Sequence, residues 1–167
     1  QAALDCPKSR AILIARGGYG LARILNELDL SGLKANPKWV IGFSDATALH
    51  ALLFNAGIAS LHAANGTTLA RADEDDLSSL MVSLQQGTKQ RFTGLKTICN
   101  GQVEGVLFGG NLTVLFAEAA AGRLRIPQGA ILFLEDVTET SYRIDRMLCS
   151  LTLGGHLSNL GDHQFVK

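Results

Sequence analysis

The segment Trp39-Val-Ile-Gly-Phe-Ser44-Asp-Ala-Thr-Ala-Leu-His50 joins a short apolar run to a helical pattern. The run is interrupted at Gly42, and the apolar residues that follow Asp45 recur with a period near 3.6. The pattern ends at Asn55-Ala56-Gly57, a typical helix stop. We interpret the segment as a buried strand, a sharp turn and a helix.

The same order of elements occurs just upstream. An apolar run over 11–15 leads into the glycine loop Arg16-Gly17-Gly18-Tyr19-Gly20, and helical spacing follows at Leu21, Ile24, Leu25 and Leu28. A third strand over 58–61 and an amphipathic helix over 73–84 continue the alternation. Buried strands that alternate with helices are typical of a parallel α/β sheet. We therefore predict a Rossmann-like or flavodoxin-like α/β domain over residues 1–88, which would carry the site.

The pattern changes after this domain. Residues 89–101 are polar and contain glycine, which indicates a linker. Residues 102–167 then predict part of a smaller α/β domain, with strands over 103–108 and 130–134. A helix is predicted after each strand, one from Leu112 and one over 142–151.

Composition excludes several classes of protein. Of the 167 residues, 47% are hydrophobic, which is enough for a core, and 15 basic residues balance 15 acidic ones. We therefore expect no nucleic-acid partner. The apolar runs are too short to span a bilayer, so we expect no membrane partner either. The three cysteines lack the CxxC spacing of a zinc site. Reduced thiols and a cytoplasmic location are the expectation.

Ser44 stands where a strand turns into a helix, with a small residue two positions before it and another two after it, Gly42 and Ala46. A nucleophile elbow needs this pattern because the sharp turn that lifts the serine leaves no room for large neighbours. The backbone N–H of Asp45 could then stabilise an oxyanion. The alternative is that Ser44 or Asp45 only caps the helix, and the motif alone leaves both interpretations open.

The glycine loop lies at the carboxyl end of its strand, where open parallel sheets bind ligands. Gly17 or Gly18 could supply a second oxyanion N–H, and Arg16 could bind a carboxylate. A phosphate-binding loop is a competing function, but the spacing matches neither GxGxxG nor GxxxxGK[ST]. From this motif alone, a simple turn with a surface arginine is favoured over either function.

Glu135 and Asp136 end the clearest strand of the second half, so either could orient a catalytic histidine, although acidic residues after strands are common. No histidine stands out as the base. His50 falls nearly two turns into the helix after Ser44, and His62 ends the next strand. His156 and His163 lie among glycines and polar residues.

Several motifs together carry a family resemblance. They are Ile14-Ala-Arg-Gly-Gly-Tyr-Gly20, Ile41-Gly-Phe-Ser-Asp-Ala-Thr-Ala-Leu-His50, Gly109-Gly-Asn-Leu112, Phe133-Leu-Glu-Asp-Val-Thr-Glu139 and Tyr142-Arg-Ile-Asp-Arg146. In this order and spacing, they resemble the LD-carboxypeptidases, a serine peptidase family that also contains microcin-immunity peptidases. The resemblance covers nearly the whole chain.

The resemblance implies a role for each site residue. Ser44 matches the family's nucleophile and Glu135 its triad glutamate, while Asp45, Arg16, Gly17 and Gly18 form the oxyanion and substrate-carboxylate region. It implies a cytoplasmic enzyme that cuts murein tetrapeptides between diaminopimelate and the terminal D-alanine. No metal or cofactor is needed for this chemistry, and we expect a small peptide substrate and a homodimer. The alternatives are a peptidase acting on a peptide–nucleotide antibiotic, and a non-catalytic α/β module that binds a small anion.

The chain departs from the family pattern at both ends. Family members have an additional strand and helix before the glycine loop, and their catalytic histidine lies in a Gly-His motif well after the LED helix. We therefore expect both domains to be incomplete in this chain and the catalytic histidine to lie beyond Lys167. His156 follows a glycine but is too close to Glu135 in sequence to match that motif.

Overall fold

The computed structural model describes residues 1–87 and 91–160. The chain divides into two compact units, Gln1–Gln90 and Arg91–Lys167. The helices are α1 (Ala2–Asp5), α2 (Ser31–Ala35), α3 (Ala46–Asn55), α4 (Gly66–Leu69), α5 (Glu74–Gln86), α6 (Leu112–Ala120) and α7 (Ser141–Leu153). The strands are β1 (Ala11–Leu13), β2 (Trp39–Gly42), β3 (Leu61–His62), β4 (Leu107–Asn111) and β5 (Ile131–Glu135).

The first unit contains a parallel sheet with the strand order β1-β2-β3. Ile12 pairs with Val40, and Ile41 pairs with Leu61. Buried apolar side chains from β2, α2 and α3 form the core, among them Val40, Leu33 and Leu53. Because the strands are parallel, the turns that follow all three lie at one edge of the sheet. The α/β prediction is confirmed.

The third strand begins later than predicted. Ile58 donates its N–H to the carbonyl of Leu53, and Gly57 donates to Phe54 with a φ of 75°. This pair of bonds is the Schellman motif that closes a helix. Ile58 is therefore part of the motif that ends α3, and it is not the first residue of a strand. The strand predicted over 58–61 is therefore Leu61–His62.

The helix predicted from Leu21 is wrong. Two short 3-10 turns, Leu21–Arg23 and Leu25–Glu27, occupy this segment, and the chain becomes extended at Leu28. The segment still buries Leu25. Two consecutive 3-10 turns therefore place this apolar side chain in the core without forming an α-helix.

The second unit pairs β4 with β5 in parallel, with α6 as the crossover between them and α7 after β5. The strand predicted over 103–108 instead extends from Leu107 to Asn111. The strand includes two glycines, and at Gly109 the pairing requires one. Any Cβ there would overlap the carbonyl oxygen of Phe133 on the partner strand. The helices predicted around 73–84, from 112 and over 142–151 are confirmed.

Among the described residues, no helix is both long enough and apolar enough to cross a membrane.

Candidate active site

Ser44 has a φ of 63°, in the left-handed region that non-glycine residues seldom adopt. It lies between β2 and α3, and its neighbours are tightly packed. A methyl group at Gly42 would lie 2.8 Å from Ile14 Cγ1 and 3.1 Å from the Cβ of Ala46. The turn thus has the strained serine and the small flanking residues of a nucleophile elbow.

The side chains of Ser44 and Asp45 do not cap α3. Asp45 occupies the position before the helix, yet its carboxylate makes no capping hydrogen bond to it. The first turn is instead closed by the backbone, since Thr47 donates to the Ser44 carbonyl and Ala48 to the Asp45 carbonyl. The simple capping interpretation is therefore not supported by the side-chain geometry.

Gly17 of the glycine loop lies directly against the serine. A Cβ at this position would be 3.0 Å from both the Cβ and the Oγ of Ser44, and 3.6 Å from Nδ2 of Asn65. The close approach of loop and serine therefore depends on a glycine at position 17. Asn65 is buried, and its Oδ1 accepts hydrogen bonds from Thr67 and Thr68, which orients the amide nitrogen toward Gly17.

The glycine loop is held at both of its ends. At its start, Gly66 donates its N–H to Ile14 and Thr67 donates to Ala15, both at 2.9 Å. At its end, the N–H of Leu21 donates to Oδ2 of Asp45 at 3.0 Å. The loop that we predicted as an oxyanion region is thus bonded to the residue that follows the candidate nucleophile.

Arg16 and Gly18 are exposed on this loop, where a substrate could reach them. Tyr19 is 84% exposed, and the guanidinium of Arg23 both donates to its hydroxyl at 2.9 Å and lies 4.9 Å from its ring centre. The structure therefore places Arg16, Gly17, Gly18, Ser44 and Asp45 in one region of the first unit.

His50 is a buried structural residue. Its Nε2 lies 2.9 Å from the Gly42 carbonyl and its Nδ1 lies 2.8 Å from the Ser60 hydroxyl. A carbonyl only accepts, so Nε2 carries the proton and Nδ1 accepts from Ser60. Burial lowers the pKa of His50. Nε2 supports the end of β2 and Nδ1 binds Ser60 just before β3, so neither nitrogen is available to take a proton from Ser44.

His62 packs beside the elbow, with its ring edge-on to Phe43 at 6.3 Å and tilted against His50 at 6.0 Å. Burial, with a contribution from the charge of His50, lowers the pKa of His62 to about 4. A neutral imidazole with so low a pKa is a weak general base at neutral pH. His163 lies outside the described residues.

Glu135 and Asp136 have different surroundings in the second unit. Asp136 accepts from the N–H and the hydroxyl of Thr113, at 3.0 and 2.7 Å, and from the N–H of Val137 at 2.8 Å. Burial opposes ionisation of Asp136, but these hydrogen bonds lower its pKa. The bonds from Thr113 connect Asp136 to the first turn of α6.

Burial raises the pKa of Glu135, and the charge of Asp136 raises it further, while a hydrogen bond from Asn111 lowers it. Asn111 is the register partner of Glu135 in the parallel pair. Its Oδ1 also accepts from the N–H of Val114, which caps α6. The sequence reasoning assigned no role to Asn111, although its position between a strand and a helix is a recognisable capping signal.

The residues present fit acyl transfer. Ser44 provides a hydroxyl on a turn with a left-handed φ, and the N–H groups of Asp45 and of the adjacent loop are candidate oxyanion donors. Glu135 lies in the second unit, at the end of β5. Within residues 1–87 and 91–160, no three His, Cys, Asp or Glu side chains are grouped to hold a metal ion.

Comparison with known proteins agrees with these features. Residues 1–63 match the family model for the LD-carboxypeptidase N-terminal domain, and residues 104–161 match the one for the C-terminal domain. A murein tetrapeptide carboxypeptidase of Pseudomonas aeruginosa is 37% identical over 165 residues, which covers 89% of this chain and 52% of the relative. The chain spans about half the length of the curated relatives it matches.

Solved structures give the same result. The muramoyltetrapeptide carboxypeptidase from Oxalobacter formigenes is 30% identical and has a TM-score of 0.80, with 95% of this chain and 56% of that one covered. The microcin C7 self immunity protein MccF shares the fold, with a TM-score of 0.79 at 22% identity, covering 94% of this chain and 57% of that one. The resemblance drawn from the motifs is confirmed: the chain belongs to the LD-carboxypeptidase family, peptidase family S66.

Proposed function

We propose that the protein is a serine carboxypeptidase that removes the terminal D-amino acid from murein tetrapeptides in the cytoplasm. The observation that carries the proposal is the geometry of Ser44, which has a left-handed φ and lies against Gly17. Family membership and the name of the Pseudomonas relative support the choice of substrate.

In this proposal, the Ser44 hydroxyl attacks the carbonyl of the bond between diaminopimelate and D-alanine. The oxyanion that forms is stabilised by the N–H of Asp45 and by an N–H of the Gly17–Gly18 segment. The D-alanine amine leaves with the proton taken from Ser44, and water then hydrolyses the acyl ester. A histidine carries the proton in this scheme, and Glu135 orients that histidine.

Release of D-alanine from a murein tetrapeptide by the full-length protein tests the proposal, with Ser44→Ala as the inactive control. A serine-reactive probe should label the wild type and fail to label Ser44→Ala. Unlabelled wild-type protein that releases no D-alanine would contradict the proposal and favour a non-catalytic binding module. A peptide–nucleotide assayed in parallel distinguishes the second substrate class.

The catalytic histidine has its own test. The 167-residue chain holds Ser44 and Glu135, but His50 is fully bonded and His62 is a weak base. We propose that this chain is inactive alone, because a triad acts as a unit. D-alanine release by this chain is compared with that of the full-length protein at equal concentration. Similar rates would mean that His62 or His156 is the base, and alanine substitutions would show which.

A further inference from the structure

The carboxylate of Asp45 is used in a way that the elbow motif does not require. Its Oδ2 accepts the N–H of Leu21 at 3.0 Å, across 24 residues of sequence, and it makes no capping bond to its own helix α3. An acidic residue at a helix start ordinarily caps that helix. Here the side chain instead accepts from Leu21, the residue that directly follows the glycine loop.

The glycine loop has a flexible backbone, which its hydrogen bonds must hold in shape. Gly18 and Gly20 have φ values of 148° and 115°, and a Cβ at either position would meet no atom within 4 Å. Glycine loses more conformational freedom on ordering than any other residue. Backbone bonds from Gly66 and Thr67 order the start of the loop. At its end, Arg23 donates its N–H to the Gly20 carbonyl, and the Asp45 bond ties the next residue, Leu21, to the elbow.

We propose that the Asp45 carboxylate is a positioning residue that sets the two halves of the oxyanion site relative to each other. One candidate donor is the N–H of Asp45 itself, and the other lies in the loop that its side chain holds. A single residue thereby fixes the distance between both donors and Ser44. This inference rests on the proposed acyl transfer at Ser44. The proposed function gives Asp45 a role through its backbone N–H, and the inference adds a second role through its side chain.

The test compares Asp45→Ala with Asp45→Asn in the full-length protein. Asparagine keeps an oxygen that can accept from Leu21, whereas alanine removes it. We expect Asp45→Ala to lower kcat for D-alanine release roughly 10- to 100-fold, because displacements of about 1 Å at a reacting centre can have effects of that size. KM should change much less, and Asp45→Asn should recover most of the loss.

Asp73→Ala is the matched control. Its Oδ1 accepts the N–H of Asp76 at 2.8 Å and caps α5, so it is also a carboxylate bound to a backbone N–H, but one outside the glycine loop. This variant should lower the melting temperature and leave kcat unchanged. Hydrogen exchange at the Leu21 amide gives a second measurement, and it should be at least tenfold faster in Asp45→Ala alone.

The outcomes separate the inference from the proposed function. An Asp45→Ala protein with wild-type kcat, or with slow exchange at Leu21, overturns the positioning role. If the wild type releases no D-alanine but Ser44 is labelled by the probe, the substrate assignment fails and the labelling rates of the variants decide the role of Asp45. Wild-type protein that is neither active nor labelled overturns both.

Discussion

Gly17 and Ser44 are in contact so close that a single methyl group on Gly17 would lie 3.0 Å from the serine Oγ. This distance is shorter than ordinary van der Waals contact, so a side chain at position 17 must displace either the loop or the hydroxyl. The position of the Ser44 hydroxyl thus depends partly on the lack of a side chain at Gly17.

The first prediction follows from this contact. Gly17→Ala should lower kcat, but by less than the roughly 100-fold effect of a displacement of about 1 Å at the reacting centre, because a contact at 3.0 Å is relieved by a smaller shift. Gly17 lacks a positive φ, so alanine introduces no backbone strain there. The melting temperature should therefore fall only slightly. A variant with full activity would show that the loop does not restrain the serine.

The second prediction concerns the backbone of Ser44. Glycine tolerates a φ of 63°, whereas alanine does not, so Ser44→Gly should be more stable than Ser44→Ala by about 1 kcal/mol. Both variants lack the hydroxyl and should be inactive. Urea denaturation of the two proteins measures the difference, and equal stabilities would mean that the elbow holds no strain.

Glu135 and Asp136 should respond differently to loss of charge. We predict that Glu135→Gln lowers kcat by roughly two to four powers of ten with normal folding, the scale seen for orienting acids in triads. Asp136→Asn weakens the bonds to Thr113 and should reduce stability instead. Activity assays and thermal melts of both variants provide the comparison. Near-normal turnover by Glu135→Gln would move the role to Asp136 or discard it.

The stability of the first unit should fall in mild acid. The pKa of His62 is about 4 in the folded protein, below its ordinary value of 6.5. The unfolded chain therefore takes up this proton first, and the contribution of His62 is complete above pH 6.5 and lost as the pH falls toward 4. His62→Phe should flatten the dependence of the unfolding free energy on pH in this window. An unchanged slope would assign the effect to other groups, His50 among them.

The elements that could be predicted from sequence are those with a long or continuous pattern. Apolar runs predicted β2 and β5, and helical periodicity predicted α3, α5 and α7. The segment after Gly20 was predicted as an α-helix because Leu21, Ile24 and Leu25 have helical spacing. The same spacing also fits the two 3-10 turns that the structure contains. The close approach of Gly109 to Phe133, which requires glycine within β4, is a tertiary contact that local sequence does not encode.

The motifs predicted the site residues, but they did not predict the hydrogen bonds and strand pairs that hold those residues in place. Small residues around Ser44 predicted the elbow, and its backbone geometry agrees. The Asp45 to Leu21 bond joins segments 24 residues apart, and Asn111 meets Glu135 only through the register of two parallel strands. Contacts of this kind arise from tertiary packing, so no periodicity in the chain reveals them. The domain boundary at 89–101 and the homodimer stay predictions.

The packing of the elbow also limits how the proposed enzyme could change its substrate. Methyl groups at Gly17 or Gly42 would collide with Ser44 or Ile14, so the inner wall of the site cannot accept new side chains. The outer side of the loop is different, because Gly18 and Gly20 face open space and Tyr19 is almost fully exposed. New specificity, whether evolved or engineered, should therefore begin at Tyr19 and its partner Arg23, where side chains can be exchanged without moving the nucleophile.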